Sequence, residues 1–88
     1  MMQYLIEVSH TPEECMQALD EMDAQGMDIL KMFRWGCKTG DHRGWAFVMA
    51  DNDMTARDML PTSAREKAIV VPVVEFTSEQ LRMMHESM

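Results

Sequence analysis

Two cysteines and two of the three histidines fall within two short segments of this chain. The first segment begins at His10 and ends at Cys15. Cys37 and His42 lie in the second segment, which runs from residue 35 to residue 45. In the β-α-β-β-α-β fold that the order of elements predicts, both segments lie at the same end of one sheet, so the four side chains can approach one another. Cysteine thiolates and histidine imidazoles are the ligands that tetrahedral Zn²⁺ prefers in proteins. One hypothesis is therefore a metal-binding protein that uses these four residues.

A simpler interpretation of the same residues stays open. The spacing contains no Cys-x₂-Cys pair, which most zinc motifs have. Free cysteines are usually buried like small hydrophobic residues, and Cys15 falls on the apolar stripe of a predicted helix while Cys37 continues a predicted aromatic strand face. His10 and His42 would then only form hydrogen bonds within turns, and Asp41 beside His42 would be an ordinary polar turn residue.

A second set of residues suggests ligand binding or proton transfer. Glu7 and Arg34 lie in the middle of two predicted strands, with Ala46 between them if a third strand intervenes. If both charges point into an apolar interior, the small Ala46 leaves room for a ligand, and a carboxyl group there can act as a general base. Glu7 and His42 are the candidates for a catalytic role, and a structural salt bridge is the alternative for Glu7. Because the chain has no Gly-rich phosphate loop, we expect no nucleotide cofactor.

The elements that position these residues begin with a strand and a capped helix. Residues 3–9 are rich in β-forming side chains and predict the first strand. Thr11 is the expected N-cap of the first helix, Pro12 takes its first helical position, and Glu14 completes a capping box. Gly26 ends that helix.

A hairpin follows, with strand two over residues 29–37 and strand three over residues 44–50. A register centred on Gly40 pairs Trp35 with Trp45. It gathers the large side chains on the face that we expect the helices to cover: Phe33, Trp35, Trp45, Phe47 and Met49. It leaves small side chains on the opposite face: Gly36, Gly44, Ala46 and Ala50.

The remaining elements complete a β-α-β-β-α-β order. Residues 54–60 predict helix two, residues 61–68 a loop or helical turn, and residues 69–76 strand four. A second capping box, beginning at Thr77, predicts a short terminal helix over about residues 78–86. Two right-handed crossovers then give an α+β fold: a ferredoxin-like antiparallel sheet of order 4-1-3-2 with the helices on one face.

Strand four is apolar on both faces, so something other than the helices has to cover the second face. A second copy, packed sheet against sheet, is the economical answer. This layout resembles the dimeric α+β barrel superfamily, which includes muconolactone-isomerase-like and antibiotic-monooxygenase-like domains. Within it, residues 4–7, the 10–15 corner and the 35–45 hairpin are similar to a small family of prokaryotic domains. The resemblance implies a homodimeric barrel over residues 1–88, and no single activity, because the superfamily hosts enzymes and ligand-sensing modules alike.

Length and charge limit the compartment and the partners. A chain of 88 residues predicts one domain, and a formal charge of -7 without a basic run argues against nucleic acid and against an anionic membrane surface. No stretch approaches the roughly 20 apolar residues of a membrane span, and the N-terminus lacks the layout of a signal peptide. We expect a cytoplasmic protein with reduced thiols. The sequence favours a small-molecule binding or catalytic module inside the barrel, at Glu7, Arg34 and Ala46; the metal-binding protein and a purely structural dimer are the alternatives.

Overall fold

A four-stranded antiparallel sheet organises the chain, with the strand order β2-β3-β1-β4. The computed structural model describes residues 1–87. The strands are β1 (Met2–Ser9), β2 (Arg34–Trp35), β3 (Arg43–Ala50) and β4 (Ile69–Val73). The α-helices are α1 (Cys15–Gln25), α2 (Ile29–Met32), α3 (Asp53–Asp58), α4 (Thr62–Arg65) and α5 (Ser78–Glu86). The predicted α+β class and the antiparallel sheet are confirmed.

β1 lies at the centre of the sheet and alternates between its two faces. Tyr4, Ile6 and Val8 are buried, whereas Leu5 and Glu7 are partly exposed. Successive side chains of a strand point to opposite faces, so the sheet has a covered face beneath the helices and an open face on the other side. β3 and β4 both pair with β1, and β1 therefore aligns both of its neighbouring strands.

The hydrophobic core fills the space between the covered face and the helices. Its members are buried apolar side chains from the strands, the helices and their connections: Tyr4, Ile6, Val8, Met22, Ile29, Phe33, Ala46, Val48, Ala50, Ala56, Leu60 and Ala68. Burying one large aliphatic side chain contributes about 1.5–3 kcal/mol. β3 supplies only Ala46, Val48 and Ala50 to this core, and these small residues let the helices approach the sheet closely.

The corner after β1 forms the predicted capping box. The Glu14 N–H donates to Thr11 Oγ1 at 3.2 Å, and the Thr11 N–H donates to Glu14 Oε1 at 3.1 Å. A 3₁₀ turn over Pro12–Glu14 leads into α1, which ends at Gly26 with a φ of 82°. The hydrogen bonds from Thr11 hold the pKa of the Glu14 carboxyl below its usual value. The direction in which α1 leaves the sheet is therefore set by this cap.

Thr11→Ala should lower the free energy of unfolding by about 1 kcal/mol, because it removes an N-cap side chain. Urea denaturation followed by circular dichroism measures the change. Thr62→Ala is the matched control, since Thr62 is an exposed threonine of α4 with no capping role. Equal losses for the two variants would show that the cap adds no stability.

The segment predicted as strand two is mostly helical, so the prediction of a strand over residues 29–37 was wrong. Met27 and Asp28 have left-handed φ angles of 58° and 54°, and this reversal carries Ile29 into the core, where it is 1% exposed. The N–H groups of Lys31 and Met32 donate to the carbonyl of Asp28 and close the helical turn of α2. Burial of Ile29 outweighs the local preference for a strand, and β2 keeps only two residues.

The hairpin register differs by one residue from the predicted register. Arg34 pairs with Trp45, and Trp35 pairs with Gly44. A Cβ atom at Gly44 would lie 2.5 Å from Cε3 of Trp35. Only a glycine therefore leaves room for the indole ring, which lies across this position and donates its N–H to the Leu30 carbonyl at 3.3 Å.

This shift of one residue exchanges the two faces of β3. Phe47 and Met49 are 61% and 55% exposed on the open face, where the sequence placed small residues. Ala46 and Ala50 are buried beneath the helices, where the sequence placed aromatic residues. Because side chains alternate along a strand, a slip of one residue moves all of them to the other face.

The last elements differ from the predictions mainly in length. Helix two, predicted over residues 54–60, is α3, and α4 forms within the predicted loop or turn of residues 61–68. β4 ends at Val73 rather than Phe76, because Val73 already pairs with Gln3 near the start of β1. The terminal helix is confirmed as α5, with its capping box at Thr77. Among the helices of residues 1–87, none has the length and apolar character that crossing a membrane requires.

Candidate metal centre

The corner that follows β1 and the loop that precedes β3 meet at one end of the sheet. The backbone N–H of His10 donates to the backbone carbonyl of His42 at 3.1 Å. This bond extends the β1–β3 pairing one residue beyond Ser9 and Arg43. β1 and β3 thus place the two histidines next to each other, with ring centroids 5.4 Å apart in a T-shaped arrangement.

The two cysteines reach this histidine pair from different elements. Cys15 is the first residue of α1, and Cys37 begins a 3₁₀ turn that follows β2. One ligand atom from each of the four residues, a ring nitrogen or a sulfur, lies within 4.8 Å of every other. One contact within this group joins His10 Nε2 and Cys37 Sγ at 3.4 Å. The structure thus brings together the four residues of the metal hypothesis, called the Cys/His cluster below.

The loop that carries Cys37 is closed by its own backbone. The Gly36 carbonyl accepts from the N–H groups of Thr39 and Asp41 at 2.9 and 3.1 Å, and the Gly36 N–H donates to the Arg43 carbonyl at 2.9 Å. The predicted place of Cys37 on an aromatic strand face is therefore wrong. The closed loop instead directs its sulfur toward the corner after β1.

Burial leaves one polar atom of the cluster without a partner. All four residues are half-buried, and Nδ1 of His42 is buried with no hydrogen-bond partner within the part of the chain that the structure describes. Most buried polar atoms in proteins are paired, and each exception needs an explanation. Coordination of a metal ion by the imidazole would supply the missing interaction.

The surroundings of the cluster set its protonation. Burial raises the pKa of the Cys37 thiol, and the neighbouring Cys15 adds to the shift. Burial and the nearby His42 lower the pKa of His10 against the opposing effect of Glu14. Both shifts favour the uncharged groups, a thiol and an imidazole with a free electron pair. A bound cation would reverse the preference of the cysteines, because a coordinating thiol loses its proton.

The distances suit a tetrahedral metal ion after a small contraction. Zn²⁺ lies about 2.3 Å from sulfur and about 2.0–2.1 Å from nitrogen, so ligand atoms around it are about 3.3–3.8 Å apart. The His10–Cys37 contact of 3.4 Å is already in this range, and the widest separation in the cluster is 4.8 Å at most. Four protein ligands fill every position of such a centre, which is typical of structural sites and not of catalytic ones.

No protein-family model, curated protein or solved structure matches this chain. The sequence does hold a signal that marks the cluster: His10 precedes Cys15 by five positions, and Cys37 precedes His42 by five positions. Each pair spans a 3₁₀ turn at the same end of the sheet, so both pairs have the same spacing and a similar local structure.

The predicted ligand site is not assembled as expected. Glu7 and Arg34 lie on the open face, but Ala46 is 4% exposed on the covered face, so its predicted place beside them was wrong. Glu7 Oε1 accepts from the Trp45 indole N–H at 3.0 Å, and Arg34 Nη1 donates to the Lys31 carbonyl at 3.1 Å. Glu7 forms its ion pair with Arg43, at 3.8 Å.

Asp41, the polar turn residue beside His42, forms its side-chain contacts with Arg43. Both carboxylate oxygens of Asp41 accept from the Arg43 guanidinium, at 2.8 and 2.7 Å. These contacts hold the pKa of Asp41 below its usual value. His42 instead lies among the cluster residues, away from the open face that carries Glu7. The two catalytic candidates therefore occupy different places.

Two concave surfaces adjoin these residues. A depression of about 300 Å³ on the open face is lined by Leu5, Met32, Arg34, Trp45, Ala46 and Phe47. Because the Ala46 side chain points to the covered face, its backbone is the part that reaches this depression. A groove of about 130 Å³ lies between α1 and residues 61–67, with His10 in its wall. Sequence reasoning missed this groove, since no local pattern relates the segments that form it.

Proposed function

We propose that this protein binds Zn²⁺ through His10, Cys15, Cys37 and His42. The observation that carries the proposal is the approach of four ligand atoms to within 4.8 Å of one another from two separate segments. The unpaired Nδ1 of His42 supports it independently. Two sulfurs and two imidazoles form a donor set suited to zinc, and the absence of a carboxylate from it disfavours Ca²⁺ and Mg²⁺.

The proposed role of the metal is to join two parts of the chain. Cys15 starts α1, and Cys37 lies in the loop between β2 and β3, so one ion would cross-link the helix to the hairpin. A site with four protein ligands can stabilise a fold or make folding depend on the zinc concentration. It has no open coordination position for a substrate. We place the protein in the cytoplasm, where a reducing environment keeps both cysteines as thiols.

Purified protein should contain about one Zn²⁺ per chain, measured by inductively coupled plasma mass spectrometry. Cys15→Ser and His10→Ala should each lower the bound metal by at least about tenfold, because each removes a ligand. His85→Ala is the matched control, since His85 is the remaining histidine and lies in α5. Co²⁺ in place of Zn²⁺ should give the visible absorption of a tetrahedral thiolate complex. Equal metal content in all four proteins would contradict the proposed ligands.

We also propose the finer architecture that the sequence suggested, a homodimeric α+β barrel of ferredoxin-like protomers. The support is the open face, whose exposed apolar side chains come from three strands: Leu5, Phe47, Met49, Ile69 and Val71. Large exposed apolar patches are uncommon on monomers. A second copy packed against this face would remove it from water.

A small-molecule site between the two sheets is the second candidate function. The depression of about 300 Å³ beside Arg34 favours it, because a second copy would enclose that space and the guanidinium would supply a polar anchor. Ala46 has no side-chain role in this version, and Glu7 is an anchor already held by Trp45. Native mass spectrometry of the freshly purified protein reports the dimer, the metal and any retained molecule together.

A further inference from the structure

The C-terminal arm, residues 74–86, extends away from the rest of the molecule. Each of its residues is exposed, and each hydrogen bond that the structure gives to residues 77–87 lies within that segment. The arm nevertheless carries five large apolar side chains, between 48% and 68% exposed: Val74, Phe76, Leu81, Met83 and Met84.

The helix of the arm is well capped, and each of its residues is exposed within the described part of the chain, residues 1–87. The Thr77 hydroxyl accepts from the Gln80 N–H at 3.0 Å, and the Gln80 side chain accepts from the Thr77 N–H at 2.8 Å. An isolated helix shorter than about 12–15 residues is marginal in water, and most helical stability comes from packing one apolar face. α5 has nine residues, and Leu81 and Met84 lie three apart on one stripe of it. The helix therefore requires a surface for this stripe.

The surface of the whole chain is larger than its mass requires. A compact monomer of 10.2 kDa exposes about 5,300 Å², and this chain exposes 6424 Å². Its radius of gyration is 15.7 Å, against about 12 Å for a compact domain of this length. The excess area is about 1,100 Å², and a stable interface buries about 800 Å² on each partner. The excess thus has the size of one dimer interface.

We propose that the C-terminal arm packs its Phe76, Leu81 and Met84 side chains against a second copy of this chain, and that two copies exchange arms reciprocally. This inference rests on the homodimer proposed above. The chain exposes an apolar helix stripe as well as an apolar sheet face, and a single dimer could bury both.

Sedimentation velocity over a wide range of protein concentrations tests the inference. Leu81→Gln with Met84→Gln should raise the Kd of the dimer at least about tenfold, because each copy loses two buried apolar side chains. Arg82→Gln with Glu86→Gln is the matched control on the other side of α5, which keeps the net charge and should leave the Kd within about twofold. Circular dichroism confirms that each variant is folded.

Phe47→Gln on the open face separates the arm from the sheet-to-sheet contact. A dimer that Phe47→Gln weakens and the arm variant leaves unchanged would overturn the arm exchange and keep the proposed dimer. Weakening by both variants supports the exchange. A wild-type protein that stays monomeric at every concentration would overturn both. Hydrogen exchange of the α5 amides should slow as the protein concentration rises, and rates independent of concentration would speak against the arm contact.

Discussion

Zn²⁺ should raise the free energy of unfolding by about 4 kcal/mol at a free concentration one thousand times its Kd, because the proposed site is assembled only in the folded chain. For a domain of this length that corresponds to a rise in melting temperature of roughly 15 °C or more. The reason lies in the cluster: its ligands come from α1 and from the loop before β3, which the unfolded chain does not hold together. Differential scanning calorimetry with and without a chelator measures the effect.

The quantity to compare between variants is the shift in melting temperature that zinc causes, because a substitution can change the stability of the metal-free protein for other reasons. Cys37→Ser should lose the zinc-dependent shift, because it removes a thiolate ligand, whereas His85→Ala should keep it. Iodoacetamide should also label Cys15 and Cys37 more slowly when zinc is bound, because coordinated sulfur is less available for attack. A wild-type melting temperature that zinc leaves unchanged would mean that the cluster is an ordinary buried group of thiols and imidazoles.

Gly36→Ala should destabilise the protein by about 2–3 kcal/mol and weaken zinc binding at the same time. The added Cβ would lie 2.5 Å from the carbonyl oxygen of Asp41, and a backbone atom cannot move aside as a flexible side chain can. Opening the loop to relieve this contact would displace Cys37 and His42, which flank it. Chemical denaturation measures the stability, and competition with a chromogenic chelator measures the zinc affinity.

Gly40→Ala separates loop strain from the steric clash. Gly40 has a φ of 92° with nothing within 4 Å of an added Cβ, so this variant should cost only about 1 kcal/mol from its left-handed backbone. It should keep most of the zinc affinity, since the backbone contacts of Gly36 remain. Equal losses of zinc affinity in the two variants would show that the closed loop does not position the ligands.

The Cys/His cluster could be predicted although the hairpin register could not. The His10 and His42 positions depend on the pairing of β1 with β3, and the sequence predicted that these strands are neighbours from the β-α-β-β-α-β order of the elements. The face of Ala46 was predicted from the pairing of β2 with β3, which joins only two residue pairs. A slip of one residue moved Ala46 to the other face, whereas the turn residues kept their place at the end of the sheet.

Local patterns predicted the helix caps and failed where burial decides. Thr11 and Thr77 fall in capping boxes that short sequences encode fully. The helical turn at Ile29 depends instead on the left-handed conformations of Met27 and Asp28, and such conformations are uncommon for residues other than glycine. Those conformations persist because they bury Ile29, and burial is a property of the folded chain that a local pattern does not contain.

Both outer strands of the sheet are poor templates for further strand addition. β2 offers only two residues, and β4 carries Pro72, which has no N–H to donate to a neighbouring strand. Unprotected outer strands are the usual sites of fibril growth. Lateral polymerisation of copies into a continuous sheet is therefore disfavoured at both edges. The outer strands thus protect the chain against open-ended strand addition, even though the sheet leaves one apolar face exposed to water.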